Sequence, residues 1–250
     1  MGDRADSIGI KQVVRVEWYD YALDMMLDGR SPSQIRAGLD EFIRDRRQSG
    51  GYGERGDQTY VKAVTQIMKS WVQPDRDLVA FRDEVLQCAR LGGRGERLAL
   101  HWAVTVAAYP FWHHVAFQVG RLLNLQNSVT QSQIRNRCFE ALGERSTVER
   151  SARRVIRSFV TWGVMLDSED KGIYQKSSPI AIGVDEAGLL VKATLLATPE
   201  ARGPLLVLVG SPALFPFSLP SVSADDLFRH VRHVEVVRLG GNDDLLKLVR

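Results

Sequence analysis

Cysteine is scarce in this sequence. Cys88 and Cys138 are the only two among 250 residues, they form no Cys-x-x-Cys pair, and neither a disulfide framework nor a zinc ribbon can be built from them. Long apolar runs are missing as well. The longest, such as residues 104–108 and 205–209, fall far short of the roughly 18 residues that span a bilayer. No positively charged, then apolar, leader opens the sequence, and a soluble protein in the reducing cytoplasm, without a membrane partner, is expected. Charge of one sign is also weak, with 33 basic side chains against 30 acidic ones, so whole-molecule electrostatics say little about partners.

The usual catalytic signatures are absent too. There is no Gly-x-Ser-x-Gly elbow and no His-Glu-x-x-His pair. Gly92-Gly93-Arg94-Gly95 lacks the Gly-Lys-Ser/Thr ending of a phosphate loop and reads as a linker between helices. The adjacent His113 and His114 diverge on a helix and suit a core or surface role. His230 and His233 have the spacing of half a metal site, but nothing completes it. Asp185, Glu186 and Lys192 have the composition of a nuclease site, yet share one helix and read as charge decoration. A protein with no enzymatic activity, cofactor or metal is therefore expected.

What is present is an ordinary globular balance, 44% hydrophobic and 25% charged, able to bury a sizeable core. The fold class expected is mainly α: a helical bundle over residues 1–127, a winged helix-turn-helix over 128–178, and a small mixed α/β region over 179–250. In the first part, Val13, Val14, Val16, Trp18, Tyr21, Ala22, Met25 and Met26 recur at three- and four-residue steps and predict one helix. Ser31-Pro32 opens another, the glycine-rich residues 49–57 predict a loop, and helices are expected over 58–72, 75–90, 96–108 and 111–123. Trp18, Trp71, Trp102 and Trp112 read as core, and Trp162 as packing against the bundle.

The middle part carries the functional signal. Thr130 with Gln133 has capping-box spacing and predicts a helix that stops at Gly143; Ser146 with Glu149 repeats the spacing and predicts a second. Residues 164–166 and 173–176 are strand candidates around a polar turn, 167–172. Helix, turn, helix and hairpin in that order describe a winged helix-turn-helix. Val148, Ala152, Val155, Ile156 and Phe159 form the inner face of the second helix. Arg150, Arg153, Arg154 and Arg157 form the outer one, with Ser151 and Ser158 near its edges. Including Arg145, this stretch has five arginines against one acid, Glu149. Such a face fits the phosphate-lined major groove, because arginine makes charge-assisted bonds to phosphate and bidentate bonds to guanine. Ser146 and Thr147 would add contacts at the helix amino end, and Lys171, Tyr174 and Lys176 would lie along a neighbouring backbone. Asp167, Glu169 and Asp170 argue against deep insertion of the wing tip. Double-stranded DNA is the partner expected; a protein-interaction adaptor and a transcriptional regulator are the alternatives.

In the last part, residues 185–197 predict a helix, Gly203-Pro204 and the prolines at 212, 216 and 220 break an apolar tract, Ser223 caps a further helix to Val231, and residues 234–239 predict a strand.

The stretch from Leu98-Ala99-Leu100-His101-Trp102-Ala103 through Tyr109-Pro110-Phe111 to Val155-Ile156-Arg157-Ser158-Phe159-Val160-Thr161-Trp162-Gly163-Val164 resembles the BrxA type of accessory protein in bacteriophage exclusion (BREX) systems. The similarity is one of pattern: a helical tract with a proline–aromatic break and an arginine-rich helix ending in a Gly–aliphatic step, over roughly residues 58–166. It implies a non-catalytic, mostly helical, DNA-binding protein of antiviral defence that works beside larger defence proteins. The family's helical fold is compared with that of the RNA-binding NusB proteins. The contact surface would lie around Arg150, Arg153, Arg154 and Arg157. Residues 179–250 exceed what the resemblance covers, and their apolar tract suggests a partner-binding face or a homodimer interface.

Overall fold

A computed structural model describes residues 8–44, 57–92, 97–226, 231–238 and 244–249, and it is mainly helical with small sheets. An extended strap, residues 8–15, precedes α1 (Val16–Leu27), so Val13 and Val14 belong to the strap and not to the helix their spacing predicted. Helix α2 (Pro32–Arg44) opens on Ser31, whose Oγ accepts from the Gln34 amide while Gln34 Oε1 accepts from the Ser31 amide. Helix α3 (Asp57–Ile67) runs into one π turn, Met68–Val72. A 3-10 turn (Arg76–Leu78) precedes α4 (Val79–Leu91), shifting the expected start of that helix. The glycine-rich loop over most of residues 49–57 and the Gly93–Gly95 part of the linker lie outside the described residues.

Helix α5 (Arg97–Ala108) is the centre of the molecule: every residue from Ala99 to Ala108 is buried. A helix with apolar side chains all round must be enclosed, and its neighbours enclose it. Pro110 then starts α6 (Pro110–Leu123) from the first-turn position where its missing N–H costs nothing. The short β1 (Ser128–Thr130) follows. Thr130 and Gln133 form the expected capping box at the start of α7 (Gln131–Leu142). Gly143, at φ +83°, ends it.

Helix α8 (Ser146–Thr161) comes next. Its amino end departs from expectation: Arg145 occupies the cap position without a side-chain cap bond, so Ser146 and Glu149 do not form a capping box. Its carboxyl end is a Schellman motif. Gly163, at φ +73°, donates to the Val160 carbonyl at 3.0 Å and Val164 to the Phe159 carbonyl at 3.0 Å, which turns the chain into β2 (Met165–Asp167). Strands β2 and β3 (Ile173–Lys176) pair antiparallel, and β1 pairs antiparallel on the other side of β3. The sheet order is β1-β3-β2.

The remaining chain contains β4 (Ile180–Ala181), α9 (Val184–Ala197), β5 (Arg202–Pro204), α10 (Leu205–Val209), a 3-10 turn (Pro212–Leu214), β6 (Phe217–Ser218), β7 (Val234–Arg238) and β8 (Asp244–Leu248). β4 pairs parallel with β6, and β5-β8-β7 form a second antiparallel sheet. Ser223 accepts from the Asp226 amide as an N-cap does; the expected helix is seen over residues 224–226, residues 227–230 and Leu239 lie outside the described residues, and Val231, its expected end, is not helical. α9 packs along α5, and Leu189, Leu190, Phe215 and Phe217 join one continuous core with Trp102, Trp112, Phe159 and Trp162. The four tryptophans read as core are buried, and Trp162 joins them. Glu186 and Lys192 are buried rather than decorative: Lys192 Nζ donates to both oxygens of Glu84 at 2.8 Å and to the Arg232 carbonyl at 2.6 Å. A desolvated ammonium persists only with such partners. Among the described residues no helix is long and apolar enough to cross a membrane.

Candidate nucleic-acid interface

The inward face of α8 is fixed by Val148, Ala152, Val155, Ile156 and Phe159, all buried. Phe159 stacks on Trp102 with ring centroids 5.0 Å apart. Burial of that stripe forces the arginines outward. Arg150 and Arg153 are exposed, whereas Arg154 and Arg157 are half-buried.

The four guanidinium groups are not equivalent. Arg157 Nη1 donates to Asp167 Oδ1 of β2 at 2.5 Å, so its charge is already matched within the molecule. Arg150 is folded back on its own helix, donating to the Ser146 carbonyl at 3.2 Å and Oγ at 3.4 Å; neither bond neutralises it. Among the described residues Arg153 and Arg154 have no carboxylate at ion-pair distance. The Arg154 pKa is lowered, first by partial burial and then by the neighbouring charges of Arg150 and Arg153. Three uncompensated cations within little more than one turn of helix repel one another, and a polyanion relieves that repulsion.

The amino end of α8 is a poorer place for phosphate. Arg145 donates to the Leu142 carbonyl at 2.9 Å, capping α7. Ser146 and Thr147 are exposed, but the cleft between α7 and α8 is lined by Glu140, Glu144 and Glu149 as well as Arg135 and Arg145. Glu149 Oε1 lies 3.7 Å from Arg135. The positive surface therefore centres on Arg150, Arg153 and Arg154, one to two turns beyond the helix start.

Three expectations are corrected. Tyr174, expected on a neighbouring backbone, is buried at 3% exposure in the middle of β3, opposite Val129 and Asp167. Its hydroxyl donates to Gln131 Oε1 at 3.4 Å, and burial raises its pKa. Lys171 and Lys176 are exposed as expected. Ser151 and Ser158 are not on the outer face either. Both are buried, and both hold the strap: Ser151 Oγ donates to the Ile10 carbonyl at 2.9 Å, and Ser158 Oγ accepts from the Val14 amide at 3.0 Å. A short hydroxyl at i and i+7 among larger side chains was the available signal, since only a small residue lets another backbone approach a helix.

The described histidines join no site: His101 is buried, His113 and His114 are half-buried, and His233 is exposed. His113 is pushed down to about 4 by burial and by the neighbouring His114. His230 lies outside the described residues, and no cluster of three metal-ligating side chains occurs among the described ones. Comparison with family models, curated proteins and solved structures finds no match for this chain.

Proposed function

We propose that this chain is a non-catalytic DNA-binding accessory protein of an anti-phage defence system, and that α8 enters the major groove of duplex DNA. The observation that carries the reading is the set Arg150, Arg153 and Arg154, turned outward and unmatched by any described carboxylate. The succession α6, β1, α7, α8, β2, β3 with sheet order β1-β3-β2 supports reading the segment as a winged helix-turn-helix, in which β1 ties the hairpin to the helices that carry the arginines. The defence setting rests on the resemblance of residues 58–166 to BrxA-type proteins.

Glu169 and Asp170 in the turn, with Asp167 at the end of β2, disfavour deep insertion of the hairpin tip, so the wing braces the duplex through Lys171 beside those acids and Lys176 at the far end of β3. A gel-shift assay with random duplex DNA tests the reading. Arg153→Glu with Arg154→Glu is expected to abolish retention, and unchanged retention would falsify it. The affinity should fall steeply with salt as counterions are released, by about 0.9 in log–log slope for each phosphate neutralised.

Leu206 and Val207, 66% and 65% exposed on α10, favour a second reading as an adaptor that docks on a larger defence protein. Binding through that apolar face would hardly respond to salt. The two readings separate on that measurement.

A further inference from the structure

The strap that α8 holds also lines a second basic groove. Gln66, buried on α3, clamps it from the other side: its Oε1 accepts from the Lys11 and Gln12 amides, both at 2.7 Å, and its Nε2 donates to the Gln12 carbonyl at 3.2 Å. Thr161 Oγ1 and Trp162 Nε1 add bonds to the Val14 carbonyl at 3.2 and 3.1 Å. Residues 10–14 are thereby pinned between α8 and α3, with every bond made by backbone of the strap. Of its side chains, Ile10 and Val14 are buried in the core, and Lys11 is exposed.

Lys11 is exposed and turns into a groove of about 370 Å³ that Lys62, Lys69, Thr65, Gln66 and Tyr109 also line. Among the described residues neither Lys11 nor Lys62 has a carboxylate at ion-pair distance. Lys69 differs, because Asp75 lies 3.2 Å from its Nζ. No carboxylate lines the groove itself. Such a wall of flexible point charges suits a phosphodiester backbone rather than base edges.

The strap lies between this groove and the arginine helix, bonded to Gln66 on one side and to Ser151 and Ser158 on the other. Ser151, Arg154 and Ser158 share one stripe of α8 by their three- and four-residue spacing. Ser151 and Ser158 both touch the strap, and Arg154, between them on that stripe, is half-buried. Arg150, Arg153 and Arg154 thus belong to the helix on one side of the strap, and Lys11 and Lys62 line the groove on the other.

We infer that the groove of Lys11, Lys62 and Lys69 is a second phosphate-contact site, which takes the flanking backbone of the duplex that α8 engages. The inference rests on the DNA-binding reading and extends its footprint to the bundle. Its energetic role is positional: lysines at that distance hold the register of the helix in the groove and read no sequence.

Fluorescence anisotropy of the full chain with a labelled random duplex, titrated across sodium chloride concentrations, tests it. Lys11→Glu with Lys62→Glu is expected to weaken binding about tenfold or more at about 0.1 M salt, and to lower the salt slope by about 1.8. Lys11→Gln with Lys62→Gln removes the same two charges without adding any; if the glutamate pair lowers the melting temperature, the glutamine pair gives the same slope test. An unchanged slope in the lysine variants, alongside lost binding in Arg153→Glu/Arg154→Glu, overturns the second site and leaves the arginine reading standing. Absence of binding by the unaltered chain overturns both.

Discussion

Arg157 and Asp167 form an ion pair at 2.5 Å between the fourth turn of the arginine helix and the first strand of the hairpin. The pair braces the hairpin against α8 and also withdraws one guanidinium from the surface. Both side chains are more than one-third exposed, so the link is worth less than about 1 kcal/mol to folding. Its larger effect is on the field that a polyanion meets. Replacing Asp167 by Asn removes a negative charge beside the arginine face and releases Arg157. DNA affinity is expected to rise several-fold and the salt slope to steepen by about 0.9, with the melting temperature nearly unchanged. Weaker binding by this variant would show that the brace matters more than the charge, and that Arg157 is a structural residue only.

Gly120 on α6 meets the turn Pro212–Leu214 without a side chain between them. A Cβ at this position would stand 1.9 Å from the Pro212 carbonyl oxygen and 2.7 Å from its carbon. Both are backbone atoms that no rotamer change can move aside. Gly120→Ala is therefore expected to destabilise by at least the 1–3 kcal/mol typical of overpacking, and denaturant unfolding followed by circular dichroism would measure it. Proper folding of this variant with unchanged stability would show that the C-terminal turn packs on α6 less closely than the structure has it.

The sequence made the middle of the chain legible because its signals are local. Thr130 and Gln133 sit three residues apart, Gly143 and Gly163 supply the positive φ that ends each helix, and the inner stripe of α8 repeats at helical spacing. Such features depend on neighbours a few residues away. The strap was illegible for the opposite reason. Val13 and Val14 carry helical spacing, but the bonds that hold them extended come from Ser158, Thr161 and Trp162, more than 140 residues distant. Tyr174 is a similar case: an aromatic between Ile173 and Gln175 fits either face of a hairpin, and only pairing with β1 on its far side buries it. The fate of Arg157 likewise depended on which side of the turn Asp167 would occupy. Lys192 was misread because a lysine in a helical pattern gives no sign that Glu84, on another helix, will meet it in the interior.

His101 and His113 make stability depend on pH, in opposite structural ways. His101 is wholly buried: its Nδ1 accepts from Trp71 Nε1 at 3.0 Å, so its Nε2–H donates to Asp20 Oδ1, also 3.0 Å away. Burial lowers its pKa, and Asp20 opposes that only in part. His113 is pushed down to about 4, and its Nε2 has no hydrogen-bond partner. In both cases the folded pKa lies below the unfolded value of about 6.5. Between the two, the unfolded chain binds a proton that the folded chain does not, so stability is full above pH 6.5 and is lost as pH falls through that window, by up to about 1.4 kcal/mol per pH unit for each histidine. The melting temperature is expected to drop from pH 7 to pH 5. His113→Leu should keep or raise stability at pH 7, because it removes an unsatisfied buried nitrogen, and it should flatten the acid slope. His101→Leu should instead cost about 1–3 kcal/mol at pH 7 for each partner left without a bond, Trp71 first. A His113→Leu variant that loses stability with acid as steeply as the unaltered chain would show that His113 takes up its proton in the folded state near pH 6.5, and so is not shut away from water.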